Sequence, residues 1–202
     1  MTKSKRKAII AAVIVAAVIV IDQIIKFCVK TGMYMHESLY VTDWFQIVFT
    51  ENNGMAFGME LVPKIFLTIF RIVATGFIGW YLVRTVRRGA PWGFIICLAL
   101  ILSFAAGNII DCLFYGMIFN DPLPPVAATL VPWGEGYGTL FNGRVVDMFY
   151  FPLFEWDWPL WMPMVGGEHN IFFSPIFNFA DSAISCGIVA LLIFYHDSLQ
   201  GK

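Results

Sequence analysis

Charge is scarce in this chain. Only 13% of its 202 residues are Asp, Glu, Lys or Arg, about half the share usual in a soluble domain. Thirteen basic residues nearly balance fourteen acidic ones, leaving a formal net charge of −1, so there is no basic field for nucleic acid. The four cysteines, Cys28, Cys97, Cys112 and Cys186, form no CxxC pair. Cys97 and Cys186 fall in apolar runs, where a thiol reads as a small buried hydrophobe before it reads as half of a disulfide. His36, His169 and His196 are far apart and match no ligand spacing, so neither a metal site nor another cofactor is expected. No Ser–His pairing or GxSxG points to a serine nucleophile.

What is abundant is hydrophobicity: 59% of residues, with a mean hydropathy of +0.74. Four apolar segments, near 8–29, 64–86, 92–115 and 174–195, reach the ~20 residues that cross a bilayer. Residues 1–202 therefore read as a single membrane-embedded domain with outer loops at 30–63 and 116–173. Lys3, Lys5, Arg6 and Lys7 resemble the basic start of a signal peptide. The apolar run then continues through Asp22 and Lys26 with no small-x-small site, which points to a retained anchor. Arg84, Arg87 and Arg88 sit in the turn between the second and third spans. The positive-inside rule places that turn and both termini in the cytoplasm. The expected fold is an all-α polytopic membrane protein of four transmembrane helices. It carries a small β-sheet and an aromatic loop on its extracytoplasmic surface.

The sheet is expected because residues 44–50 are rich in aromatic and β-branched side chains. Asn53-Gly54 then signals a turn, followed by Ala56-Phe57-Gly58. The second outer loop is Pro/Gly-rich and then aromatic. Trp156, Trp158 and Trp161 fit an interfacial belt, either resting on the membrane or covering a substrate.

Four aspartates interrupt the apolar sequence: Asp22, Asp111, Asp147 and Asp181. A carboxylate at membrane depth costs several kcal/mol unless paired, solvated or protonated, and reads by default as functional. Asp22 and Lys26 are i,i+4 and share a helix face, so a structural ion pair is expected. Asn108 and Asp111 stand near the outer end of span three, beside Gly107, which permits close helix contact. Asn178 and Asp181 repeat that spacing, about two turns into span four. Asp147 lies in GRVVDMFYF, too short to cross and so expected at the outer interface. Three carboxylates thus converge at one depth. Helix-joining glue in membranes is more often neutral, whereas two close carboxylates share one proton. The ionised member can take a proton from water and the protonated one can donate to a carbonyl oxygen and then to the leaving amine.

Taken in order, the motifs resemble the lipoprotein signal peptidase family, signal peptidase II. Asp22-Gln23-Ile24-Ile25-Lys26 is similar to DQxxK, and Asn52-Asn53-Gly54-Met55-Ala56-Phe57 to NxGxAF. Gly107-Asn108-Ile109-Ile110-Asp111 is similar to GNxxD, Gly143-Arg144-Val145-Val146-Asp147 to GxVxD, and Phe177-Asn178-Phe179-Ala180-Asp181 to FNxAD. The resemblance implies an aspartyl protease in the bacterial inner membrane, active site facing outward, acting in lipoprotein processing. It would cut diacylglyceryl-modified prolipoproteins before the lipidated cysteine, with membrane lipid around it and no nucleic-acid partner; a monomer is expected. Asp147 and Asp181 would be the catalytic dyad, with Asn52, Gly54, Asn108, Asp111 and Asn178 supporting substrate, water or the dyad. Cys112 stands where the family commonly has an arginine, and Arg144 is expected to substitute for it. The connection from Asp111 to Asp147 is long for the family.

Two other classes compete. A small cation or proton-coupled transporter would use Asp22, Asp111 and Asp181 as a path, but needs acidic residues spread through the membrane depth. An assembly factor would dock through the aromatic loop and would not need acids at 147 and 181.

Overall fold

The computed structural model describes residues 2–54 and 63–196. The Met55, Ala56, Phe57 and Gly58 part of the outer-loop motif lies outside these residues. The chain begins with α1 (Lys3–Gly32), whose N-cap Thr2 accepts the Lys5 N–H at 3.3 Å. Two further long helices follow, α2 (Lys64–Arg87) and α3 (Trp92–Ile110). Then come α4 (Gly116–Ile118), a single turn, and α5 (Phe179–Phe194). The middle helix, α3, packs against α1, α2 and α5 and supplies most of the bundle core, with Phe94, Ile95, Leu98 and Ala99 buried beside Leu82 and Leu191. The outer faces of α1 and α2 remain apolar and exposed, as a lipid-facing surface requires. A Cβ at Gly107 would stand 3.1 Å from the Asp22 carboxylate and 3.6 Å from the Ala180 Cβ. The missing side chain thus lets α1 and α5 close on α3 where the polar residues cluster.

Among the described residues, α1, α2 and the stretch from Trp92 to Ile118 are long and apolar enough to cross a membrane. The apolar α5 is shorter, at 16 residues. It does not begin near residue 174 as the hydropathy suggested. Pro175 favours extended backbone at its predecessor, and Asn178, at φ −106° and ψ 177°, is the N-cap. Asp181 therefore sits in the first turn rather than two turns in. Regular α-helix also ends sooner than expected in the third span: Asp111–Tyr115 is a π-helical turn, a widened ladder frequent at functional sites.

The outer loops pack on the ends of α1 and the third span, building a second core from Val29, Phe49, Tyr115, Phe119, Ala128, Val146 and Met148. Its sheet is antiparallel, in the order β1 (Ser38–Thr42), β2 (Phe45–Asn52), β3 (Val145–Tyr150). The expected strand at 44–50 is thus present, and the GRVVDMFYF stretch is its partner, with Thr50 opposite Asp147 and Asn52 opposite Val145. Beyond β3, Phe149 exchanges backbone hydrogen bonds with Phe177 at 2.7 and 3.0 Å, which holds the start of α5 against the strand. The aromatic loop forms a second, unexpected element. It is a hairpin of β4 (Phe154–Asp157) and β5 (His169–Phe172) with Phe154 and Phe172 stacked at 4.6 Å. Leu160, Trp161 and Met164 project from the connecting segment, almost fully exposed.

No disulfide joins the cysteines: Cys97 and Cys112 are buried, whereas Cys28 and, contrary to expectation, Cys186 lie on exposed helix faces.

Candidate active site

The polar residues of α1, α3, β3 and α5 meet at one end of the bundle. Lys26 is fully buried, and its ammonium lies 2.9 Å from Asp22 and 2.7 Å from Asp111, donating also to the Asn108 carbonyl at 2.7 Å. The expected Asp22–Lys26 ion pair is present but is half of a larger set. One cation faces two carboxylates, and the remaining acceptors take neutral donors. Gln23 donates to Asp111 at 2.8 Å and accepts from Tyr115 at 3.2 Å.

Two backbone donors connect this network to the segments that carry Asp147 and Asp181. The Val146 N–H bonds Asp111 at 3.3 Å, and the Ala180 N–H bonds Asp22 at 3.0 Å. Each deep aspartate therefore holds the peptide N–H of the residue immediately before Asp147 or Asp181. Asp111, expected to position substrate, water or the dyad, thus holds the strand that carries Asp147.

Asn178 links the two candidate catalytic carboxyls. Its amide donates to Asp147 Oδ1 at 2.7 Å and to the Asn108 carbonyl at 3.3 Å. Its backbone N–H donates to Asp181 Oδ2 at 2.9 Å, and its side-chain oxygen accepts the Asp181 N–H at 3.0 Å. This reciprocal capping box satisfies donors that a helix start leaves open. Asp147 is 4% exposed and Asp181 half-buried. Burial first, and then the neighbouring Asp181 charge, raise the Asp147 carboxyl to about 7; the amides of Asn178 and Asn52 and the Lys26 charge pull the other way.

Asn52 ends β2, exposed, with its side-chain oxygen on the Gly54 N–H at 2.6 Å. Arg144 does not take the place expected of it. Its guanidinium donates to Glu51 at 3.0 Å and Asp121 at 2.7 Å and lies over the Tyr137 ring. Glu51 faces it from β2 and Asp121 from the connection after α4, and they hold its guanidinium there, with no hydrogen bond to Asp111 or Asp147. Buried Lys30 is ion-paired with the same Glu51. The guanidinium beside Cys112 is that of Arg71 on α2, 3.2 Å from the sulfur.

Sequence reasoning missed Arg71, Gln23, Lys30 and Glu51. Arg71 carried a readable signal, a lone charge inside the second apolar span. Lys30 repeats Lys26 one turn on; Gln23 carried its place in the DQxxK-like motif but was given no role, and Glu51 carried no signal beyond adjacency to Asn52. Among the described residues, no group of three or more His, Cys, Asp or Glu is placed to hold a metal ion.

Comparison with known proteins narrows the chemistry. The family described as Signal peptidase (SPase) II matches residues 14–196. A lipoprotein signal peptidase of Porphyromonas gingivalis is 51% identical over 92% of this chain and 82% of its own length. That of Amoebophilus asiaticus is 34% identical over 90% and 75%. A solved bacterial membrane enzyme, 23% identical, aligns over 91% of this chain and 90% of its own with a TM-score of 0.59, a likeness of fold.

Proposed function

The chain belongs to the signal peptidase II family, and on that premise we propose that it removes the signal peptide from diacylglyceryl-modified prolipoproteins by an aspartic, water-mediated cleavage before the lipidated cysteine. The single observation that carries the aspartic reading is Asn178, whose side chain holds Asp147 while its backbone and side chain hold Asp181.

In this reading Asp147, protonated near neutral pH, is the acid, and Asp181 is the base. Asp181 takes a proton from a water molecule as its oxygen bonds the scissile carbonyl carbon, and Asp147 gives its proton to the carbonyl oxygen. Collapse of the tetrahedral diol breaks the C–N bond. A proton passes to the leaving amine and the other product is a carboxylic acid. Asn108 and Asn178 orient the carboxyls, and Asp22, Asp111 and Lys26 fix the backbone that carries them. An anchored diacylglyceryl group would bring the scissile bond to the depth where these elements meet. Four spans with both termini cytoplasmic, and a dyad facing the extracytoplasmic side of the inner membrane, complete the proposal. The basic residues near the start of α1 and the end of α2 support that orientation. Transport is not supported: the acids lie at one end of the bundle, and the named relatives are peptidases.

The test is incubation of purified protein with a diacylglyceryl-modified prolipoprotein and its unlipidated twin. Release of the signal peptide from the lipidated form alone is expected. Cleavage of both or of neither defeats the reading.

A further inference from the structure

Arg71 is a charged residue in an apolar helix, and the mechanism above does not use it. It sits half-buried on the face of α2 turned toward α3. One guanidinium nitrogen donates to the Gly54 carbonyl at 3.2 Å and another to Cys112 Sγ at 3.2 Å. Arg71 thus joins three separate pieces: the body of α2, the π turn that ends α3, and the turn that follows β2. The fit around that turn is close. Gly54 is at φ +83°, and a Cβ there would meet the Arg71 guanidinium, so the carbonyl meets the cation at a place that favours glycine. The same turn is held from within by the Asn52 side chain on the Gly54 N–H and from outside by Lys64 on Asn53 at 3.1 Å.

The turn adjoins the reacting groups. Asn52 is in register with Val145, two residues before Asp147, and its amide is among the groups acting on Asp147. On its other side Arg71 lines a cavity of about 180 Å³ between α2, α3 and α5, together with Asn108, Thr75, Ile101, Phe104 and Ile184. Asn108 is the residue that accepts from both Lys26 and Asn178. Arg71 therefore stands between the outer turn and the polar network.

We propose that Arg71 is a positioning residue for peptide cleavage, clamping the Asn52–Gly54 turn against the end of α3 so that Asn52 stays on Asp147. The proposal deepens the peptidase reading and rests on it. A guanidinium suits the task because its planar fork reaches two acceptors in fixed directions, whereas an ammonium is a point donor on a mobile stem.

The experiment compares Arg71→Ala, Arg71→Lys and the exchange variant R71C/C112R in detergent-purified enzyme acting on lipidated prolipoprotein. Thermal unfolding is followed alongside. Displacing a group that orients the dyad is expected to lower kcat by about ten- to a hundredfold, with KM little changed. Arg71→Lys should fall between wild type and Arg71→Ala. The exchange should recover most of the rate, because residue 112 already touches the guanidinium and can present one to the Gly54 carbonyl. Should Arg71→Ala fail to fold, Arg71→Lys decides. Wild-type kcat in Arg71→Lys overturns the inference, as does an exchange variant no faster than Arg71→Ala. A loss carried entirely by KM overturns it too. If the wild-type enzyme leaves the lipidated substrate uncut, the peptidase reading falls and takes this inference with it. Wild-type cleavage with an unaffected Arg71→Lys removes this inference alone.

Discussion

Lys26 and Lys30 are one turn apart on the same helix, and both are fully buried, yet they do different work. Lys26 faces two carboxylates, so its cluster carries an excess of negative charge. That excess is answered by neutral donors: the Gln23 amide and the N–H groups of Val146 and Ala180. Lys30 faces one carboxylate, Glu51, which it shares with Arg144, and Arg144 in turn meets Asp121. Two cations balance two anions there, and the rings of Phe49, Phe119 and Tyr137 surround the ammonium. A balanced cluster can be satisfied by its own side chains. An acid-rich one must draw donors from the backbone, and here the donors it draws precede Asp147 and Asp181. The inner cluster therefore holds the backbone beside Asp147 and Asp181, while the outer one joins β2 to the start of β3 and to the long connection before it.

The sharpest contrast is between the dyad and both clusters. Asp147→Asn or Asp181→Asn should lower turnover by about a hundred- to ten-thousandfold while the protein still inserts and unfolds near its wild-type temperature. Comparable turnover in either variant breaks the assignment. The pH profile gives the next largest effect. The Asp147 carboxyl is raised to about 7, so the acid form is present below that pH and is lost as pH rises through it. The alkaline limb of the rate should fall there, by about tenfold per unit beyond the midpoint. In Asp181→Asn the neighbouring charge is gone, so the Asp147 carboxyl, followed by its infrared stretch, should lose its proton at lower pH than in wild type. A titration at unchanged or higher pH shows that the two carboxyls do not interact.

The contrast also bears on how much the sequence could disclose. The i,i+4 spacing of Asp22 and Lys26 is a local fact, and the pair forms. The membrane helices follow from hydropathy, a property of composition over ~20 residues. The strand at 45–52 follows from its aromatic and β-branched side chains. What could not be read were contacts between segments far apart in sequence. Arg144 sits three residues before Asp147, but strand alternation and the facing Glu51 turn it away from that carboxyl. The start of α5 was misplaced because the apolar run continues through Ser174–Phe177, whereas capping by Asn178 and pairing with Phe149 decide where helix begins. The hairpin in the aromatic loop went unseen because its stacked rings, Phe154 and Phe172, are far apart in sequence.

Between the lysines, Lys26→Met should be the more damaging. It leaves Asp22 and Asp111 facing each other without a cation, and breaking a buried pair in this way costs about 3–5 kcal/mol. Both N–H anchors of the dyad loosen with it, so turnover should fall further than stability alone explains. Lys30→Met removes one of two cations from Glu51, and Arg144 remains, so the cost should be smaller, about 1–3 kcal/mol. Denaturant unfolding in detergent, paired with initial rates, orders the two. A Lys30 variant that loses more activity than the Lys26 variant reverses the roles assigned to the clusters.

Arg144→Ala gives the smallest expected effect and separates two accounts of that residue. Its side chain is 30% exposed and its partner Asp121 is 44% exposed. Solvent screens that half of the interaction, and an exposed pair contributes about 0–1 kcal/mol. Glu51 keeps Lys30 when Arg144 is removed, so no buried charge is stranded. The packing of the guanidinium on Tyr137 adds about 0.5–1 kcal/mol. Total destabilisation should then be about 1 kcal/mol, and kcat should fall by a few-fold at most as the strand carrying Asp147 loosens. KM should not move, because the guanidinium is taken up by Glu51, Asp121 and the Tyr137 ring. Were Arg144 instead to grip the substrate, its loss would raise KM and approach the effect of the dyad variants, and the outer cluster would then belong to the chemistry rather than to its support.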